Sequence, residues 1–349
     1  MKPDVDIVNK LDTDNMKKQI GSLYEQIKQS MDIFESFKNT NQSYKNIVHK
    51  YDKILIIGMG GSAIGADFAR TLVEEDLDIP IHVVRDYLIP NWVDKKTFII
   101  VSSYSGNTEE TLTAYNQCLE KKCFSIAIST GGNLTQIAKD KNVGVIKLPK
   151  GFQPRAAVGY SITILLLLFV EIGLIDKKIL KDLKIVSQNQ LGNEYMSKAL
   201  KVSEKLYNHF PIIYSGGGYM EVLSNRLRGQ LAENSKILSY QSVFPEHNHN
   251  EIEGWSKNLE KINSNLAVVW IKDESDSVYV HKRMRIVKEI IDQYPGCQLT
   301  IEVSSESLLE RVFTIINMID WVSYYLANQY EVNPSPVKNI SKLKSLMIK

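Results

Sequence analysis

The sequence predicts an α/β protein of two domains, each built on a mostly parallel β-sheet with helices on both faces. Short runs rich in β-branched residues alternate with helical stretches from residue 53 onward, and the alternation starts again after residue 206. Such alternation is typical of parallel sheets covered by helices. The length of 349 residues also suits two domains, because a single domain usually holds about 100–200 residues.

The strand-like runs group into two predicted domains, residues 51–190 and 191–349. The first contains five runs, at 53–58, 81–86, 97–103, 123–129 and 143–149. The second contains four, at 211–217, 237–243, 266–272 and 297–303. Before them, residues 1–50 carry apolar side chains at helical spacing, which predicts an N-terminal helical lead-in.

A strand followed by glycines occurs twice, as IIGMGGSAIG at 56–65 and as IIYSGGGYME at 212–221. Self-similarity of this kind indicates an internal repeat. We infer that the second domain is a diverged copy of the first.

Charge and hydrophobicity exclude several classes of protein. Lysine and arginine total 42 against 40 acidic residues, so the net charge of +2 gives no electrostatic basis for a nucleic-acid or membrane-surface partner. The most apolar stretch, ITILLLLFV at 162–170, is far shorter than the roughly 20 residues of a membrane span. It predicts a buried helix.

Cysteine usage and the N-terminus both favour a cytoplasmic protein. The three cysteines, Cys118, Cys123 and Cys297, match no metal-ligand spacing and cannot all pair, which suits a reducing compartment. The N-terminal residues alternate in charge and lack the apolar core of a signal peptide.

The first glycine loop, GMGGSAIG at 58–65, predicts a phosphate site. It joins a strand to a helix, so its backbone can approach an anion while the helix N-terminus offers free N–H groups. A dinucleotide site requires G-x-G-x-x-G, and the third glycine, Gly65, lies two residues too far along the chain. A plain glycine turn without a ligand is the other alternative.

A second loop, SYSGNTEET at 103–111, follows another strand with several hydroxyl groups. Hydroxyls and backbone amides can hold a phosphate without a lysine. Ser105 or Thr108 could instead serve as an ordinary helix N-cap. Because both loops lie at carboxyl ends of parallel strands, where open α/β folds bind ligands, we favour the phosphate site.

These loops, together with IAISTGGNL at 126–134, make the sequence resemble the sugar isomerase (SIS) fold. Three further segments are similar to the bifunctional phosphoglucose/phosphomannose isomerase family: GFQPRAA at 151–157, AENSK at 232–236 and PEHNHNEIEGW at 245–255. The likeness runs from about residue 53 to the C-terminus. It implies two SIS-type three-layer α/β/α domains.

The resemblance also implies an activity, the interconversion of glucose 6-phosphate, and of mannose 6-phosphate, with fructose 6-phosphate through an enediol. No metal or other cofactor is expected. The implied partners are a small sugar phosphate and a second copy of the chain, in a homodimer.

The resemblance assigns a role to each matching residue. The sugar phosphate is expected to bind the first and second loops through Gly61, Ser62, Ser103, Ser105 and Thr108. Glu233 is expected to be the base, and Arg155 to stabilise the enediolate.

Two further residues follow from the same resemblance. His249 is expected to help open the sugar ring, reaching across from the partner subunit. A C-terminal lysine matches Lys344, with Lys342 as the competing choice. Some relatives carry a hydroxyl residue before this segment, where the chain has Val337. This departure weakens the expectation of mannose activity relative to that of glucose activity.

The residue types suit the reaction, although each has a simpler explanation. One carboxylate can move a proton between neighbouring carbons, yet Glu233 could also be a solvated residue on the helix SNRLRGQLAENSK. Arg155 stays protonated and can face a developing negative charge, or it could form an ordinary ion pair. His247 and His249 could instead bind a metal with Glu246 and Glu251, although their alternation gives a weak chelate.

Three other functions compete with the isomerase. A non-catalytic SIS regulator that senses a sugar phosphate would keep both loops but would need neither Glu233 nor His249. The isomerase half of an amidotransferase, or a sugar-phosphate lyase, would use the same fold with other catalytic loops. A nicotinamide-dependent oxidoreductase would depend on the first glycine loop alone.

Overall fold

The computed structural model describes residues 11–41 and 50–347. The chain forms two compact units. The first domain is Ser22–Gln190, and the second is Leu191–Lys349 together with the N-terminal segment up to Gly21, which contains helix α1 (Met16–Gly21). The boundaries inferred from the sequence stay a prediction, and residues 1–10 and 42–49 of the predicted lead-in lie outside the described residues.

The first domain is built on a five-stranded parallel sheet. Its strands are β1 (Lys53–Ile57), β2 (Ile81–Val84), β3 (Thr97–Ser102), β4 (Ser125–Ser129) and β5 (Gly144–Lys147). They lie in the order β2-β1-β3-β4-β5, and each lies within a predicted run. All six residues of β3 are buried, as expected for a central parallel strand covered on both faces.

Helices cover both faces of this sheet. They are α2 (Leu23–Thr40), α3 (Gly60–Leu72), α4 (Glu109–Glu120), α5 (Gly132–Asp140), α6 (Val158–Glu171) and α7 (Ile179–Val186). Because α3 joins β1 to β2 while α4 joins β3 to β4 in the opposite direction, right-handed crossovers place them on opposite faces. Helices α4 and α5 pack on Leu55, Ile99 and Ala127, and α6 packs against α2 and α3.

The apolar stretch at 162–170 lies within α6, in which residues 158–170 are all buried. The prediction of a buried helix is confirmed. No described helix is both long enough and apolar enough to cross a membrane.

The second domain repeats the plan with four parallel strands. They are β6 (Phe210–Ser215), β7 (Tyr240–Val243), β8 (Leu266–Ile271) and β9 (Cys297–Ile301), in the order β7-β6-β8-β9. This order matches β2-β1-β3-β4 of the first domain. The same arrangement of strands is what a diverged copy is expected to keep.

The helices of the second domain complete a three-layer structure. They are α8 (Asn193–Leu206), α9 (Tyr219–Gln230), α10 (Glu260–Asn263), α11 (Val278–Ile290), α12 (Leu308–Gln329) and α13 (Lys338–Met347). Helix α11 packs on Tyr214 and Trp270 of the sheet, and α12 packs against α8 and α9. The predicted α/β class with two parallel-sheet domains is confirmed.

A buried ion pair joins α9 to α12. Arg226 donates to both carboxylate oxygens of Asp320, at 3.0 and 2.6 Å, and Gln230 donates to the same carboxylate at 2.6 Å. Buried charges persist only when they are paired and hydrogen-bonded in this way. The network holds the C-terminal end of α9 in place, immediately before residue 231.

Candidate functional site

The sheet order of the first domain creates a crevice between the loops after β1 and β3. These strands are neighbours, but their connections leave in opposite directions, toward β2 and toward β4. Ligands of open α/β sheets bind at such a switch point, outside the carboxyl ends of the strands. Both predicted phosphate loops therefore lie at the edge where an anion is expected.

The first loop brings its backbone close to the segment that carries Arg155. A Cβ added at Gly61 would lie 2.5 Å from the carbonyl oxygen of Pro154, so no larger residue fits without displacing that segment. Gly60 has a φ of +50°, a conformation that favours glycine. Ser62, in the first turn of α3, is buried.

The second loop directs its hydroxyl groups toward one another. The Oγ of Ser103 lies 3.0 Å from the Oγ1 of Thr108 and accepts the N–H of Gly106 at 3.1 Å. Thr108 precedes α4, yet its side chain makes no capping hydrogen bond. The exposed Ser105 accepts the N–H of Asn107 at 3.3 Å. Helix capping therefore does not account for the threonine.

A third loop, after β4, supports the second. Gly106 has a φ of +72°, and a Cβ there would lie 1.8 Å from the carbonyl oxygen of Gly131, so this contact requires glycine. Asn107 accepts the N–H of Asn133 at 2.9 Å. These contacts hold the hydroxyl loop in one conformation.

Arg155 lies in the short 3₁₀ turn Pro154–Ala156 and is 5% exposed. The segment before it is fixed by Tyr104 of the second loop, whose hydroxyl accepts the N–H of Phe152 at 3.1 Å and donates to Pro149 at 2.7 Å. No sequence pattern pointed to this role, although Tyr104 lies inside the SYSGNT motif. The structure thus gathers Arg155 and the predicted phosphate residues at one edge of the first domain.

In the second domain, Glu233 lies on a π-helical turn, Leu231–Ser235, that follows α9. The simpler interpretation of Glu233 placed it on an ordinary helix, whereas the wider π-helical turn is a local departure of the kind found at functional sites. Glu233 is half-buried and faces a cavity of about 770 Å³. The lining residues are Ala232, Glu233, Lys236, Glu331, Val332, Asn333, Pro336, Val337, Lys338, Asn339 and Ile340.

The two candidate lysines lie on α13, the helix that begins at this cavity. Lys338 and Asn339 line the cavity, whereas neither Lys342 nor Lys344 is among the lining residues found in the described chain. Lys342 follows Lys338 by four residues and Lys344 follows Ile340 by four, so each shares a face of the helix with a residue that lines the cavity. The choice between them stays a prediction.

His249 is exposed at the end of the 3₁₀ turn Glu246–His249. His247 of the same turn is fully buried, stacked on Phe244 with ring centroids 4.5 Å apart and an interplanar angle of 15°. Burial lowers the pKa of His247, against the opposing charge of Glu251. The neutral, buried imidazole of His247 therefore anchors the turn that carries His249.

The alternative of a metal site at these histidines gains no support from the geometry. Glu251 accepts the hydroxyls of Tyr214 and Tyr240, at 2.7 and 3.1 Å. Across residues 11–41 and 50–347, no three histidine, cysteine or acidic side chains are grouped so as to hold a metal ion.

The second glycine loop, after β6, faces carboxylates. Asp273 follows β8 by two residues, and its carboxylate accepts the hydroxyls of Tyr219 at 2.8 Å and of Ser275 at 2.6 Å. The side chain of Asp273 is paired with that of Arg311 at 2.8 Å. A carboxylate at this edge disfavours a phosphate.

A second carboxylate lies directly on this loop. A Cβ added at Gly216 would lie 2.2 Å from the Oδ1 of Asp276. Burial raises the pKa of Asp276 to about 6. With two carboxylates at this edge of the second domain, the hydroxyl-rich edge of the first domain suits an anion better.

Comparison with known families matches both domains. Residues 47–169 match the SIS domain, and residues 196–347 match the bacterial phospho-glucose isomerase C-terminal SIS domain. The chain is 40% identical over 333 residues to the bifunctional phosphoglucose/phosphomannose isomerase of Caldicellulosiruptor bescii, covering 93% of this chain and 97% of that one. It is 32% identical over 295 residues to the Aquifex aeolicus protein of the same name, covering 84% and 90%.

A solved structure shows the same fold. A hypothetical protein from Thermus thermophilus aligns with a TM-score of 0.75 at 14% identity, covering 98% of this chain and 93% of that one. At this identity the likeness concerns the fold alone. The predicted SIS fold is confirmed.

The contact of Gly61 with Pro154 generates a first prediction. We expect Gly61→Ala to weaken the binding of a sugar phosphate by about tenfold or more, because the new methyl group displaces the segment carrying Arg155. Titration calorimetry measures the affinity. Gly229→Ala, whose methyl group meets open space, serves as the matched control. Equal affinities of the two variants would contradict the prediction.

Burial of His247 generates a second prediction. Its pKa is lowered in the folded chain, so near pH 6.5 the imidazole binds a proton in the unfolded chain but stays neutral in the folded chain. The contribution of His247 to the free energy of unfolding is therefore fully present above pH 6.5. It is lost as the pH falls below that value, at up to about 1.4 kcal/mol per pH unit. Urea unfolding at pH 7.5, 6.5 and 5.5 measures how the free energy of unfolding depends on pH. His247→Phe should reduce the slope of the free energy of unfolding against pH. The same slope in the variant and the wild type would rule out a contribution from His247.

Proposed function

Since the chain belongs to the bifunctional phosphoglucose/phosphomannose isomerase family, we propose that it interconverts glucose 6-phosphate and mannose 6-phosphate with fructose 6-phosphate. The reaction moves a proton between the first and second carbons of the sugar through an enediol. The observation that carries the proposal is the Glu233 carboxylate facing a cavity that Lys236 and Lys338 also line. The hydroxyl-rich edge of the first domain suits the phosphate group.

The phosphate is held by the loops after β1 and β3. Ser62, Ser103 and Thr108 supply hydroxyl groups, and the first turns of α3 and α4 supply N–H groups that have no partner within their helices. The positive ends of these helix dipoles favour a dianion without requiring a lysine. Gly61 lets the backbone approach the ligand, and Ser105 adds a hydroxyl at the exposed rim.

Glu233 is the base in this proposal. Its carboxylate takes the proton from one carbon and returns it to the next, a role that a single positioned group can fill because the two carbons are neighbours. General base catalysis contributes about 10² to 10⁴ in rate, so positioning and charge stabilisation must supply the rest.

Arg155 stabilises the enediolate, whose oxygens carry the developing negative charge. A guanidinium stays protonated throughout the reaction, and burial strengthens its interaction with a charge. The low exposure of Arg155 and the support of its segment by Tyr104 agree with this role.

A lysine of α13 adds a further positive charge near the sugar oxygens. Lys344 is the residue that matches the family pattern, and Lys342 is the competing choice; each lies one helical turn beyond a residue that lines the cavity. Alanine substitution of each in the activity assay separates the two.

The central test measures fructose 6-phosphate formed from each aldose phosphate by wild type, Glu233→Gln and Glu331→Gln. Glu331 is the matched control, because it is the other carboxylate among the residues lining the cavity in the described chain. We expect Glu233→Gln to lose about 10² to 10⁴ in kcat, Glu331→Gln to keep most of its activity, and a chelator to leave the wild-type rate unchanged.

Two outcomes would contradict the proposal. Loss of activity in Glu331→Gln but not in Glu233→Gln would show that Glu331, and not Glu233, is the base. Binding of both sugar phosphates without turnover by the wild type would favour the regulator instead.

The proposal includes a homodimer in the cytoplasm, with His249 serving the partner's site. The exposure of His249 supports this role, and the free state of Cys118, Cys123 and Cys297 suits a reducing compartment. A neutral histidine can exchange a proton with the ring oxygen, since its ordinary pKa is near 6.5.

Subunit mixing tests the shared site. In a mixed dimer of Glu233→Gln and His249→Ala subunits, one site holds both wild-type residues if His249 crosses over. We expect activity to reappear after subunit exchange, as measured by fructose 6-phosphate formation. If each histidine serves its own subunit, both sites stay defective and no activity returns.

A further inference from the structure

One lysine links the turn that carries Glu233 to a distant segment of the second domain. The ammonium group of Lys236 donates to the carbonyl oxygen of Glu233, to that of Pro336 at 2.8 Å and to that of Pro334 at 3.2 Å. An ammonium has three N–H donors. All three are directed at backbone carbonyls, from two stretches of chain about a hundred residues apart.

The backbone of Lys236 is shaped for this task. Lys236 ends the π-helical turn with a φ of +61°, the left-handed conformation that commonly terminates helices. Its side chain returns to the carboxyl end of the turn, where the helix dipole favours a positive charge. The turn therefore ends on a cation that binds one of the turn's own last carbonyls, that of Glu233.

The carbonyls that receive the other two bonds belong to the proline-containing segment that leads into α13. Pro334 and Pro336 have no N–H groups, and the segment between α12 and α13 pairs with no strand. Pro336 lines the cavity that Glu233 faces, and α13 starts two residues later. Lys236 thus connects one wall of the cavity to the turn carrying the carboxylate.

The opposite side of the turn is anchored independently. Asn234 donates to the hydroxyl of Ser323 at 2.9 Å, and Ser235 donates to the carbonyl oxygen of Ser323 at 2.7 Å. These buried contacts tie the turn to α12 whether or not Lys236 is present. Removing the ammonium should therefore leave the domain folded.

We infer that Lys236 is a positioning residue, which sets the place of the Glu233 carboxylate relative to the cavity wall formed by residues 336–340. The inference depends on the proposed role of Glu233 as the base. Displacing a catalytic group by about 1 Å can cost 10²-fold in rate, so a link of this kind acts on kcat. Phosphate binding depends on other residues and should be unaffected.

The test compares Lys236→Met, which keeps the length of the side chain without its charge, with Lys236→Arg and with the matched control Lys201→Met, an exposed lysine on α8. We expect kcat of Lys236→Met to fall by about 10 to 100-fold while KM changes little. Lys236→Arg, which keeps donors for the carbonyls, should recover part of the loss. Lys201→Met should match the wild type.

Hydrogen–deuterium exchange supplies a readout that does not depend on activity. Amides of residues 337–347 should exchange faster in Lys236→Met than in Lys201→Met. Unchanged exchange would show that the ammonium does not hold the segment, and faster exchange with an unchanged kcat would show that Glu233 does not depend on it; either result overturns the inference. An inactive wild type would instead contradict the proposed function, while the exchange comparison would still report on the link.

Discussion

Every described strand runs parallel to its neighbours, and this constraint determines where the chemistry can lie. Each connection in a parallel sheet must cross back over one face, so the carboxyl ends of the strands collect at a single edge. The order β2-β1-β3-β4-β5 reverses between β1 and β3. Ser62, Ser103 and Thr108 follow these two strands, which is why residues more than forty positions apart share one edge with two helix N-termini.

The second domain keeps this frame and changes the groups at its edge. Asp273 lies just after β8, and its charge is balanced by Arg311. The glycine loop survives at Gly216, but the carboxylate of Asp276 lies against it. Backbone hydrogen bonds maintain the architecture in both domains, whereas a few side chains decide which edge can accept an anion.

The proposed base, Glu233 of the second domain, lies away from that edge, on irregular backbone that its neighbours hold in place. Asp320 fixes Arg226 and Gln230 just before the π-helical turn, and Ser323 fixes the turn itself. Lys236 closes its carboxyl end. Support on both sides of Glu233 is the kind of preorganisation that a proton-transfer group needs, because it removes the cost of orienting the carboxylate during the reaction.

The sequence by itself determined the strands, their alternation with helices, the buried run of α6 and the glycine and hydroxyl loops. These features follow from local periodicity and turn chemistry, which act over a few residues. Only the tertiary structure decided that Gly61 lies against Pro154, that Tyr104 holds Phe152, that His247 is buried while His249 is exposed, and that Lys236 reaches Pro334 and Pro336. Such contacts depend on how whole elements pack, and no short pattern of residues encodes them.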